Sequence, residues 1–283
     1  MRIWVHSDLQ LDEPAQAEAV LSTAVNDLLK LQISIDAVWC LGDAHCGTNE
    51  AALQSVAAIN IAQLQRLQAP VYYVMGNHET DIRRAQGVSN FPLHDLVTDN
   101  PNWHMAALDE FYFCAEFNGY LVVFMGDHAA QDGSWWTSAG CINGDAYPHS
   151  PDSYNKLRRL ISDYDGPVII ASHYAFPGGQ RPSRLMERLL PLPENVRLHL
   201  HGHAHIGDLV WNKERPWQRE NPITGHTQKQ FNISALESLR SPGSHSALME
   251  LSSDGSVALH IRCHLEKKWL VHFQISKRIE DKQ

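Results

Sequence analysis

The sequence predicts an α/β fold in which two facing β-sheets carry helices on their outer surfaces. Three observations predict it. The first 75 residues alternate apolar strands with amphipathic helices in the order β-α-β-α-β, which implies parallel strands joined by right-handed crossovers. Two apolar runs then flank Asn118-Gly119, the strongest short hairpin signal. Beyond residue 206 the chain reads as successive antiparallel strands.

Taken in order, RIWVH (2–6) is a short apolar strand. Residues 14–32 place Ala17, Val20, Leu21, Ala24, Leu28 and Leu31 at spacings of three and four, a helical stripe, with Pro14 suited to its first turn. IDAVWCL (35–41) is a strand ending at Gly42-Asp43. Residues 49–68 repeat the helical stripe, and PVYYVM (70–75) is a strand ending at Gly76-Asn77-His78. The hairpin pairs 110–117 with 120–126, and residues 128–150, polar and Gly-rich around Trp135-Trp136, read as a long covering or functional loop. Residues 152–163 are helical, PVIIAS (167–172) is a buried strand leading to His173, and VRLHLHG (196–202) is one leading to His203 and His205. The later strands fall at 206–211, 228–234, 245–251, 256–263 and 268–275, with Asp254-Gly255 turning between two of them.

The chain has 283 residues, 43% hydrophobic and 19% charged, enough for one large core or two modest ones. Donor residues running from 8 to 205 imply one domain over 1–276, followed by a charged tail, 277–283. A net charge of −9 repels phosphate backbones and disfavours nucleic acid as a partner. Five widely spaced cysteines (Cys40, Cys46, Cys114, Cys141 and Cys263) with no CxxC imply reduced thiols and a cytoplasmic location. The N-terminus has no apolar leader segment, and every apolar run is strand-sized, so neither a signal peptide nor a membrane span is expected.

Chemistry concentrates in short segments at strand ends: HSD (6–8), GD (42–43), GNHE (76–79), SH (172–173) and GHAH (202–205). Asp8, Asp43, Asn77, His78, His173, His203 and His205 are oxygen and nitrogen donors of the kind divalent metals take. His203 and His205, two apart on an extended segment, share a face.

In this order the motifs resemble those of the calcineurin-like metallophosphoesterases. The resemblance covers residues 1 to about 210 and implies a four-layer α/β/β/α sandwich of two mixed β-sheets holding two metals. It implies Asp8 and His205 on the first metal, Asp43 bridging through its two oxygens, and Asn77, His173 and His203 on the second. It implies that His78 contacts a phosphate oxygen or protonates the leaving group. The implied reaction is direct attack of metal-bound hydroxide on a phosphate ester, with manganese, or else iron or zinc, as the ions.

Two departures qualify the resemblance. The family's Asp-x-His is here Asp8-Leu9-Gln10. Gln10 either hydrogen-bonds a water or ligand, or offers its amide oxygen to a retuned, oxygen-preferring first metal. The second motif, Gly42-Asp43-Ala44-His45-Cys46-Gly47, lacks the Arg of protein Ser/Thr phosphatases. A small phosphodiester of nucleotide type is the expected substrate, with a phosphomonoesterase and a non-catalytic scaffold as alternatives. Arg181 and Arg184, after His173, are candidates to fork onto phosphate, against the plainer reading of solvated loop arginines. His6, His199 and His201 read as core imidazoles or supports of the site, His45 as a supporting or surface residue, and His128 as a candidate for testing. Trp135, Trp136, Trp211 and Trp217 offer faces for a base or ring, although packing explains them equally.

Overall fold

Strand β1 (Arg2–His6) is buried on both faces: Ile3 and Val5 point one way, Trp4 the other. Such a strand needs cover on two sides. In the computed structural model it has a second sheet on one side and helices on the other. The structure describes residues 1–46, 50–79, 92–107, 110–126, 128–129, 135–136, 151–177, 184–205, 221–222, 229–238 and 243–275.

In the first sheet, β1, β2 (Ala37–Cys40), β3 (Val71–Tyr73) and β4 (Trp103–His104) are parallel neighbours. On the other flank of β1, β13 (His245–Leu251), β14 (Val257–Cys263) and β15 (Lys268–Ile275) form an antiparallel meander. The second sheet contains β5 (Tyr112–Phe117) and β6 (Tyr120–Met125), the predicted hairpin, beside β9 (Val168–Ser172), β10 (Val196–His201), β11 (Asn221–Pro222) and β12 (Lys229–Asn232). A separate pair joins β7 (His128–Ala129) to β8 (Trp135–Trp136).

Helices α1 (Pro14–Lys30), α2 (Glu50–Gln65) and α3 (Pro92–Val97) cover the first sheet through Leu21, Leu28, Val56, Leu64 and Leu93. Helices α4 (Pro151–Ser162) and α5 (Arg184–Glu187) cover the second through Tyr154, Leu157, Ile161 and Met186. Between the sheets, Trp39 meets Phe117 and Phe124 edge-on at 5.2 and 5.1 Å. The result is the expected α/β/β/α sandwich of two mixed sheets. No helix among the described residues is long and apolar enough to cross a membrane.

The expectation of purely antiparallel strands after residue 206 is corrected at 228–234. There β12 runs parallel to β10, with His201 opposite Asn232, and antiparallel only to the two-residue β11. Strand composition carries no direction, and a long connection permits either. The predicted strand at 206–211, most of the loop at 128–150 and the tail at 277–283 lie outside the described residues.

A buried polar chain fastens α1 to the β13–β14 ribbon. Arg262 grips Asp27 with two bonds of 2.8 and 2.7 Å, and His264 Nδ1 lies 3.0 Å from the same carboxylate. His264 Nε2 meets Ser246 Oγ at 2.7 Å, and that hydroxyl also accepts the Trp4 indole N–H. Burial opposes the Asp27 charge, but Arg262 and His264 outweigh it and hold its carboxyl well below the usual range. Ser246, His264 and Asp27 stand in the order of a nucleophile relay, yet Ser246 is fully sealed from solvent. The arrangement is a staple.

Five buried imidazoles make the fold acid-sensitive. Burial lowers the pKa of His6 to about 3, of His201 and His245 to about 4, and depresses those of His199 and His264. Below pH 6.5 the unfolded chain takes up protons that the folded chain refuses, so stability falls as pH falls through the folded pKa values. Between its folded and unfolded pKa values a single such group contributes at most about 1.4 kcal/mol per pH unit. Glu79, raised by burial and Asp43 to about 7, contributes with the opposite sign, one group against five. Urea unfolding of metal-stripped protein is expected to show a midpoint dropping steadily from pH 6 to 4.5. A flat profile would mean that these imidazoles are protonated in the folded chain.

Candidate metal centre

Asp8 follows β1, Asp43 follows β2, Asn77 and His78 follow β3, His173 follows β9, and His203 and His205 follow β10. These strands run parallel within their sheets, so their carboxyl ends gather side chains at one rim, as in other open α/β sheets. The chain must turn sharply there. Asp8, Gln10, Asp43, His203 and His205 all adopt positive φ, between 40° and 64°. Such left-handed residues store strain that the surroundings must hold, a feature that clusters at functional sites. Close approach also selects glycine: a Cβ at Gly76 would fall on the Asp43 carboxylate, and one at Gly202 on Ser7 and Asp8.

Two groups of donors result, Asp43–His173–His203 and Asp8–Asp43–His205, each with its ligand atoms within 4.8 Å of one another. His173 Nε2 lies 3.2 Å from Asp43 Oδ2 and 3.2 Å from Asn77 Oδ1. His205 Nε2 lies 3.0 Å from Asp8 Oδ1. Donors about 2.1 Å from a shared cation and at right angles sit about 3 Å apart, so these edges suit coordination shells. Asp8 Oδ1 is buried and makes no well-directed hydrogen bond, an acceptor left over for a cation. The two oxygens of Asp43, the residue expected to bridge, have different partners. Its Oδ1 accepts the His78 backbone N–H at 2.9 Å, and Oδ2 alone faces His173 and Gln10. Gln10 turns the nitrogen end of its amide to Asp43, and a half-turn of that amide would present oxygen instead.

The carboxylates of Asp8 and Asp43 are fully buried. Burial alone would raise their pKa values, but His205 beside Asp8 and His173 beside Asp43 outweigh it and hold both low. Conversely, burial works against a charged His173, and Asp43 raises it to about 10. A divalent cation would supply the same positive charge and displace those protons. His78, opposed by burial but bonded through Nδ1 to the Cys46 carbonyl at 2.5 Å, is also raised to about 10, and its Nε2 stands 4.0 Å from Asp43 Oδ2.

Two buried carboxylates escaped the sequence reading. Glu79 accepts the backbone N–H groups of Asp43 at 2.9 Å, Ala44 at 2.5 Å and Gly76 at 2.6 Å, clamping two motif loops together. Its place inside GNHE was the available signal. Glu237 lies 3.1 Å from His205 Nδ1, and no motif surrounds it. His199 and His201 belong to the layer beneath the site: His199 meets Ser172 Oγ at 2.7 Å, and His201 packs by Asn232. His6 is buried against Trp4, and His45 is buried within the second motif. His128 lies in β7 and Arg184 opens α5, but both side chains, like Arg181, Trp211 and Trp217, fall outside the described residues, as do the side chains of Trp135 and Trp136.

The calcineurin-like phosphoesterase family model matches residues 1–207, and the chain belongs to that family, whose chemistry is metal-dependent phosphoester hydrolysis. Among solved structures, a dimetal phosphatase from Danio rerio is similar at 14% identity, over 98% of this chain and 98% of that one, with a TM-score of 0.65. A purple acid phosphatase from yellow lupin seeds is similar at 15% identity, over 99% of this chain and 54% of that one, with a TM-score of 0.61. GAP50, described as the anchor in the inner membrane complex of Plasmodium, is similar at 13% identity over 99% and 90%, with a TM-score of 0.55. At these identities the likeness is one of fold. No curated protein matches the sequence.

Gly76→Ala is expected to push the Asp43 loop aside, costing about 1–3 kcal/mol of stability and lowering bound metal per chain. Gly119→Ala, where nothing lies within 4 Å but φ is +84°, provides the control. It should cost stability through strain alone and leave metal content untouched. Metal analysis after dialysis, read beside thermal unfolding, separates the two outcomes.

Proposed function

We propose that the chain is a dinuclear metallophosphoesterase that hydrolyses a small phosphodiester of nucleotide type. The observation carrying this reading is Asp43, which belongs to both donor groups at once. On this reading Asp8, Gln10, Asp43 and His205 hold the first ion, and Asp43, Asn77, His173 and His203 the second. Oxygen-rich donors favour manganese, with iron or zinc as alternatives. Such a pair, when bound, supplies a water acidic enough to attack phosphorus near neutral pH and the charge to neutralise phosphate oxygens.

The chain's own part is positional and acid–base. Asp43, with Oδ2 3.2 Å from His173 Nε2 and bonded to the Gln10 amide, would be the donor common to both ions. His78 donates Nδ1–H to the Cys46 carbonyl, which turns Nε2 toward the centre, and the side chain is one-quarter exposed (25%), within reach of a substrate. A proton on Nε2 can pass to the departing oxygen. The GNHE and GHAH motifs and the lack of an Arg after Asp43 support a diester over a phosphoprotein. Arg181 and Arg184 are offered as phosphate contacts on their position after His173. Free Cys40, Cys46, Cys114 and Cys263 support a reducing, cytoplasmic setting.

Chromogenic mono- and bis-esters assayed side by side with Mn²⁺ test the reading. The bis-ester is expected to turn over faster. Asp43→Ala should lose metal and activity together, whereas His78→Ala should keep metal and lose about 10²–10⁴-fold in rate, least with good leaving groups. Faster monoester cleavage would favour a phosphomonoesterase. Purified protein that holds no metal and hydrolyses no ester would favour a non-catalytic scaffold.

Gln10→His should move the first site from oxygen-preferring toward nitrogen-preferring ions, tightening Zn²⁺ relative to Mn²⁺ by roughly tenfold. Competition titrations on the two proteins measure this. Identical occupancy and preference would remove Gln10 from the metal shell.

A further inference from the structure

The geometry points to Glu237 as the residue that positions His205 for the first metal, an inference that rests on the dinuclear reading above. His205 turns Nε2 toward the centre, 3.0 Å from Asp8 Oδ1. A metal takes that nitrogen only without its proton, so the remaining ring proton sits on Nδ1. Glu237 Oε1 stands 3.1 Å from Nδ1 to accept it. Glu237 and Asp8 on opposite sides therefore hold the plane of the ring, and with a metal on Nε2 the Glu237 acceptor would hold the proton on Nδ1. Glu237 is 1% exposed, so water does not compete for the bond.

The backbone explains how Glu237 arrives there. After β12 the chain leaves the second sheet and crosses the rim to β13 in the first. On the way Ile233 N–H donates to the His201 carbonyl at 2.9 Å, Leu236 N–H to Ser7 at 3.0 Å and Glu237 N–H to Asp8 at 3.2 Å. A single residue thus holds the main chain of one first-site donor, Asp8, and the side chain of another, His205, from opposite sheets. The charge of Glu237 also strengthens the imidazole as a donor, in the site where Gln10 offers a neutral amide in place of imidazole. Glu237 lies beyond the matched residues 1–207, so no family motif points to it.

The test is Mn²⁺ titration of the metal-stripped full chain, followed by calorimetry and by paramagnetic resonance of free Mn²⁺, with Asn77→Ala used to assign the second-site isotherm. Glu237→Gln keeps an acceptor oxygen and removes the charge; it should weaken the first site by about tenfold. Glu237→Ala removes both and should weaken it by up to about 100-fold. Second-site affinity should stay within twofold in both. In a His205→Ala background, Glu237→Ala should have no further effect. Unchanged first-site affinity, equal weakening of both sites, or full additivity with His205→Ala would overturn this inference alone. A wild-type chain binding fewer than two ions would overturn the dinuclear reading and this inference with it.

Discussion

Two buried carboxylates govern this structure. An ionised carboxylate sealed from water costs several kcal/mol, roughly, unless charge and hydrogen bonds meet it. Asp8 and Asp43 meet that demand in the same way. Each gives one oxygen to a backbone N–H from a neighbouring loop, Asp8 to His203 at 2.9 Å and Asp43 to His78 at 2.9 Å. Each turns its other oxygen into the cage of donors. The peptide groups fix direction, and the leftover oxygens define where positive charge must sit. Imidazolium or a divalent cation can fill that role, and of the two the cation can also acidify a bound water.

Meeting those oxygens forces the rest of the rim. His203 can reach Asp8 only if the second sheet presents the end of β10 against the end of β1, and the apolar layer shared by Ile3, Val5, Leu198 and Leu200 sets that apposition. The loops must then approach more closely than a Cβ allows, which selects Gly76 and Gly202. Left-handed turns at Asp8, Asp43, His203 and His205 are unfavourable for such residues. They persist because Glu79 and the strap through Glu237 bond the same loops from outside.

What could be read from the sequence was local. The strands at 245–251 and 268–275 appear at the predicted boundaries because runs of apolar and aromatic residues, and for the first the Asp254-Gly255 turn that follows it, are written in adjacent residues. The donor segments were equally legible, since glycine beside Asp, Asn or His marks a strand end that carries a ligand. What escaped was relational. The direction of β12 depends on which strand it meets, and the orientation of the Asp43 carboxylate depends on where the His78 amide lands. Glu237 sits 32 positions from the ring it orients, in a stretch with no pattern of its own.

The chain beyond residue 207 holds the rim together from behind. β13 pairs directly with β1, so the strand that delivers Asp8 is an interior strand only because the C-terminal meander exists. Arg262 and His264 hold Asp27 of α1 and so lock the helix that follows the Asp8 loop onto that meander. The strap ahead of β13 then carries Glu237 to His205. Each contact is buried and each reaches a different part of the rim. Cutting the chain after the matched segment would leave every donor in place along the sequence, yet expose β1 as an edge and remove the partner of His205. The motifs specify which atoms can bind, and the C-terminal strands make that binding geometry the folded one.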